Sequence, residues 1–169
     1  MLVGLPGAGK TTIGRAAAAA LGWPFVDLDE EIERRTGASV AALFERGESY
    51  FRAMERAVTE SLVTAPAAIV ATGGGWVTAP ETVALMRPVG RITYLRVTPE
   101  TAVKRLRDSC TSRPLLAGEP ARAVERLHAQ RRAAYEASDY VIDTESLTEQ
   151  EVTALVVQLA RTPEPGKFG

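Results

Sequence analysis

Residues 4–11 read GLPGAGKT, between a short apolar run and an alanine-rich stretch. The spacing is glycine, four residues, glycine, lysine and then a hydroxyl residue. Glycines at those places let successive backbone N–H groups curl around phosphate oxygens at the start of a helix, where the helix dipole also favours an anion. Gly7, Ala8 and Gly9 would form the cradle, with Lys10 reaching the β- and γ-phosphates. Thr11 would offer its hydroxyl to Mg²⁺, and Thr12 follows on the same first turn. A glycine-rich turn could match the pattern by chance. An apolar strand before it and a helix after it argue against that, so the segment points to binding of a nucleoside triphosphate.

Other residues carry chemistry less openly. In PFVDLD, residues 24–29, strand alternation would set Asp27 and Asp29 on one face and turn Leu28 away. The carboxyl end of a parallel strand is where ligands sit. One carboxylate there can serve a metal-bound water and the other an acceptor hydroxyl; solvated strand-end aspartates are the plainer alternative. FRAMER puts Arg52 and Glu55 three apart on one helix face. That is either an exposed ion pair or a guanidinium aimed at an anionic substrate and held by Glu55. SRPLLAG, residues 112–118, sets Arg113 on a loop suited to a lid that closes over a transferring phosphate. Arg131 is one basic residue among many, and His128 reads as a surface histidine. AIVATGGGWVT, residues 68–78, puts Gly73, Gly74 and Gly75 directly behind an apolar run. Three glycines in a row imply that something approaches the backbone too closely for side chains.

These residues need elements to carry them. The pattern predicts strands over 1–3, 24–29, 67–72, 91–97 and 140–143. Helices are expected over 11–21, 29–37, 39–47, 48–63, 80–87, 99–107, 121–137 and 148–161, with Ser39 as an N-cap. In the fourth of these, Phe51, Met54, Val58 and Leu62 share a face. Strands alternating with helices imply a parallel sheet with right-handed crossovers and helices on both faces. With 169 residues and no internal linker, residues 1–161 read as one domain and 162–169 as a disordered tail.

Composition narrows the partners. Net charge is −1, which gives no electrostatic footprint for nucleic acid or an anionic membrane. Residues 61–80 carry no charge, the length of a membrane span, but Pro66, Pro80 and the glycines favour a buried strand and a loop. The single cysteine, Cys110, excludes an internal disulfide and fits a reducing cytoplasm.

The set GLPGAGKTT, FVDLDEEIE, FERGESYFRAME, TGGG and RPLLAG, in that order, resembles shikimate kinase over residues 1–143. The first motif is generic; the D-x-D, F-R-x-x-E, G-G-G and R-P-L-L combination is specific. The resemblance implies an α/β fold of the P-loop nucleoside-monophosphate-kinase type, with a five-stranded parallel sheet in the order 2-3-1-4-5. It implies ATP and Mg²⁺, a small-molecule acceptor (shikimate), a monomer, and transfer of the γ-phosphoryl group to the 3-hydroxyl. Acceptor-binding helices would lie about 29–64 and a lid about 108–120. By position, Asp29 binds the acceptor hydroxyls and takes the proton, and Asp27 attends the metal with Thr11. Arg52 and Arg131 grip the carboxylate, with Glu55 orienting Arg52. Gly73, Gly74 and Gly75 bring a backbone amide to the substrate. Arg113 contacts phosphate from the lid, and Arg107 (or Arg105) lies by the adenine. Trp76 stands where the family suggests a small residue, and could reshape the acceptor side. A gluconate-like or nucleotide-like kinase, or a non-catalytic ATP-binding module, shares the first motif alone.

Overall fold

Near the start of the chain, β1 (Leu2–Val3) is buried on both residues and leads straight into the glycine loop. The computed structural model describes residues 1–108 and 120–162. The loop ends at Gly9, whose φ of 88° is a left-handed conformation that suits glycine, and α1 (Lys10–Leu21) begins. Its Ala17 and Ala18 are buried, and the small side chains let α1 lie close against the sheet and the last helix.

β2 (Phe25–Asp27) is shorter than alternation predicts. The Asp27 carboxylate accepts the backbone N–H of Asp29, so the chain turns into α2 (Leu28–Thr36) at once. Asp29 therefore sits on the first turn of a helix, not on the strand, and the expected shared strand face is corrected. α3 (Val40–Glu45) is capped by Ser39, whose hydroxyl accepts from the Ala42 N–H. α4 (Glu48–Leu62) buries Phe51 and Val58, with Met54 and Leu62 packed at the edge of the same core. Phe44 and Phe51 stack at 4.4 Å between centroids, tying α3 to α4.

β3 (Ile69–Ala71) is buried throughout and feeds the triple glycine, then a 3₁₀ turn (Trp76–Thr78) and α5 (Pro80–Met86). The uncharged stretch 61–80 is thus divided among a helix end, a strand, a loop and a turn. No helix among the described residues is long and apolar enough to cross a membrane. β4 (Thr93–Arg96), α6 (Pro99–Asp108), α7 (Pro120–Glu136), β5 (Tyr140–Asp143) and α8 (Glu149–Arg161) follow. α8 opens on a full capping box, Thr148 and Glu151 exchanging hydrogen bonds. Apart from its end residues, the lid expected over 108–120, with Arg113, lies outside the described residues, as does the tail beyond residue 162.

Among the described residues the strands form one parallel sheet in the order β2-β3-β1-β4-β5, as the resemblance implies. The chain builds one flank, β2 and β3, then passes β1 to build the other. The order reverses at β1, and the crevice beyond its carboxyl end is where such sheets take ligands. The phosphate loop follows β1 directly, Asp27 ends β2 and the triple glycine follows β3, so these candidates gather at that end.

Candidate active site

The phosphate-binding loop is built almost wholly from backbone. α1 has no side-chain cap and no acidic residue in its first turn, so its leading N–H groups face the crevice for an anion to satisfy. Gly7 has a φ of 85°, and a methyl group there would meet the Ala102 carbonyl oxygen at 2.5 Å. Ala8 is buried in the turn, its N–H bonded to the Leu5 carbonyl at 3.1 Å. Lys10 is buried too, its Nζ donating to the carbonyls of Gly4 and Leu5 at 2.8 and 2.9 Å. The ammonium is folded along the rim of its own loop. Thr12 is exposed on the first turn.

Thr11 Oγ1 donates to Asp27 Oδ2 at 2.9 Å. A hydroxyl and a carboxylate beside a phosphate cradle are hard oxygen donors that fit Mg²⁺, which is usually held by one or two such groups plus phosphate and water. No cluster of three His, Cys, Asp or Glu side chains placed to hold a metal ion occurs among the described residues.

The acceptor side is assembled from side chains on three separate helices, and the triple glycine is where they meet. A methyl group on Gly73 would meet Asp29 Oδ1 at 2.8 Å. On Gly74 it would meet Arg131 Nη1 at 3.1 Å, and on Gly75 it would collide with the Arg52 guanidinium. Sequence reading assigns the closeness to substrate; the structure shows that Asp29, Arg131 and Arg52 themselves occupy the space the glycines leave. Asp29 comes from α2, Arg52 from α4 and Arg131 from α7.

Arg52 Nη1 donates to Glu55 Oε2 at 2.7 Å, and Nη2 to Glu48 Oε1 at 3.3 Å. Glu55 is 1% exposed, and its other oxygen is buried without a hydrogen-bond partner among the described residues. Burial pushes the Glu55 carboxyl above its ordinary value; Arg52 pulls it back, and the charges of Asp29 and Arg131 also act on it. The ion pair is thus a partly buried one that fixes the guanidinium, not the exposed pair of the plainer reading.

Three residues of this site were not singled out from sequence. Tyr135, fully buried, donates to the Gly74 carbonyl at 2.7 Å, stacks on Tyr94 at 4.9 Å and is hydrogen-bonded to Arg131. Burial pushes its phenol up to about 12. It lies four residues after Arg131, so helical spacing alone would have found it. Thr59 and Glu48 are likewise one turn from Glu55 and Arg52. Trp76 is fully buried behind the loop, so its indole forms part of the core instead of lining the acceptor space.

On the other flank, Arg105 is spent on the residue after β5, donating to Thr144 Oγ1 and to the Thr144 carbonyl. Arg107 is exposed near the end of α6. His128 is half-buried on α7.

The match to known proteins agrees with this geometry. Residues 6–161 match the family model for shikimate kinase. A shikimate kinase of Moorella thermoacetica is 43% identical over 148 residues, covering 86% of this chain and 84% of that one. The structure of the Acinetobacter baumannii shikimate kinase in complex with shikimate is similar at a TM-score of 0.84 with 38% identity, covering 94% of this chain and 89% of the other. The Bacteroides thetaiotaomicron shikimate kinase gives a TM-score of 0.85 at 30% identity, with 94% and 95% covered. A backbone-built phosphate cradle facing a side-chain-built anion clamp, in a chain so similar over nearly its whole length, leaves one assignment: the chain belongs to the shikimate kinase family.

Proposed function

We propose that this chain phosphorylates the 3-hydroxyl of shikimate with ATP, and that the residues described above divide the work as follows. The observation that carries the reading is the convergence of Asp29, Arg52 and Arg131 on one glycine loop beside the phosphate cradle. The acceptor carboxylate is held by the Arg52 and Arg131 guanidinium groups, whose planar donors suit bidentate recognition. Glu55 fixes Arg52, and Tyr135 steadies Arg131. Asp29 accepts the proton of the attacking hydroxyl, whose oxygen bonds to the γ-phosphorus as the bridge to the β-phosphate breaks. The Gly74 amide donates to an acceptor hydroxyl. Gly7 to Thr12 hold the polyphosphate, and the Lys10 ammonium swings from its loop carbonyls to the transferring group. Thr11 and Asp27 would hold Mg²⁺, which supplies charge neutralisation for the phosphates. Arg113 acts from the lid at 108–120, and Arg107, exposed near the end of α6, flanks the adenine.

Residues 1–161 act as one domain, as a cytoplasmic monomer. ADP release measured against shikimate, gluconate and AMP tests the acceptor. Shikimate alone should support saturable turnover; turnover with gluconate or AMP at comparable kcat/KM overturns the reading, and turnover with none makes the chain a binding module.

A further inference from the structure

We infer that Trp76 is a positioning residue for Arg52, acting through Thr59 and Glu55 and so setting the affinity of the anion clamp. The inference rests on the reading that Arg52 binds the acceptor carboxylate. A buried indole N–H needs a hydrogen-bond acceptor. Trp76 Nε1 finds one in Thr59 Oγ1 at 3.0 Å, across 17 residues of sequence, and both side chains are fully buried. The Thr59 hydroxyl gives its own proton to the Glu55 carbonyl at 2.8 Å, which leaves its lone pairs to the indole. Glu55 holds Arg52 by its carboxylate, and the Arg52 guanidinium lies hard against Gly75, the residue before Trp76. The path closes on itself: Gly75, Trp76, Thr59, Glu55, Arg52 and back to Gly75.

One side-chain hydrogen bond in that circuit, indole to hydroxyl, joins the glycine loop to α4. It fixes how far the loop sits along the helix, and so which wall the guanidinium rests against. A tryptophan that merely filled volume would not care whether residue 59 accepts a hydrogen bond.

Thr59→Val keeps the shape and removes the acceptor, whereas Thr59→Ser keeps the hydroxyl. The KM for shikimate should rise about three- to tenfold in Thr59→Val, the size of one lost buried hydrogen bond. It should return to near the wild-type value in Thr59→Ser, with the KM for ATP unchanged in both. An unchanged shikimate KM in Thr59→Val overturns the inference even if the melting temperature falls. So does a parallel rise in the KM for ATP. A wild-type chain with no saturable response to shikimate removes the function and the inference together, and is told apart because the variants then have nothing to alter.

A second measurement needs no change in the circuit. The chain has two tryptophans, and Trp23→Phe leaves Trp76 as the sole indole. Its indole ¹H–¹⁵N resonance should move on saturation with shikimate. A resonance that stays fixed while shikimate binds overturns the inference.

Discussion

On the proposed assignment of residues, the two halves of the crevice solve the same problem, gripping an anion, by opposite means. The phosphate half uses consecutive backbone N–H groups from one eight-residue loop, with one lysine and one threonine. The acceptor half uses the guanidinium groups of Arg52 and Arg131 from two helices, converging with Asp29 from a third on a loop stripped of its own side chains. Backbone recognition is contiguous in sequence and indifferent to what the phosphates are attached to. Side-chain recognition is dispersed, and its geometry depends on the residues behind it. Specificity for the acceptor therefore rests on the half that is harder to build.

The sharpest way to separate the halves is one substitution in each. Asp29→Asn should lower kcat by about 10²–10⁴-fold, the usual worth of a general base, with little change in ATP affinity. Lys10→Met should lower kcat by about 10²–10³-fold through lost charge stabilisation of the phosphates, and leave shikimate affinity intact. Steady-state kinetics with nucleotide titrations would check both. Loss of ATP binding in Asp29→Asn would show that the halves are not independent.

A smaller effect comes from refilling the glycine loop. A methyl group on Gly75 drives into the Arg52 guanidinium, whereas one on Gly74 meets Arg131 at the less severe 3.1 Å. Gly75→Ala should therefore raise the shikimate KM about tenfold, and Gly74→Ala by less, both sparing ATP. Equal effects from the two variants would mean that the loop, not the arginines, yields.

The smallest effect is in pH. Burial lifts the Glu55 carboxyl above its ordinary 4.5, so the folded chain holds this proton more tightly than the unfolded one. Its contribution to stability is fullest in acid and fades as pH rises through the folded value. Binding runs the other way, because a protonated Glu55 loosens its hold on Arg52. The shikimate KM should climb on the acid side from a pH above 4.5, with no such limb for ATP and none in Glu55→Gln.

The same contrast decides what could be read from sequence. The phosphate loop and the order of strands and helices follow from local spacing, and the structure places them as expected. Asp29 is the instructive exception: strand alternation puts it beside Asp27, but the Asp27 carboxylate caps the next helix and ends the strand early. A side-chain hydrogen bond overrode a periodicity only a few residues long. Arg52 is marked locally by Glu55 three residues on, with an exposed ion pair as the alternative, whereas Arg131 is reached through the family resemblance, since nothing local marks it among many arginines. The partner of Trp76 lies on another element, and no spacing rule reaches it.

α1 and α8 pack together, yet one begins on a complete capping box and the other on a bare glycine. Left open, the start of α1 is a weak point in the empty protein. An arriving polyphosphate does for α1 what Thr148 and Glu151 do for α8. Nucleotide therefore acts as a removable part of the fold, and the chain's resistance to heat and to proteases will rise and fall with the supply of its own substrate.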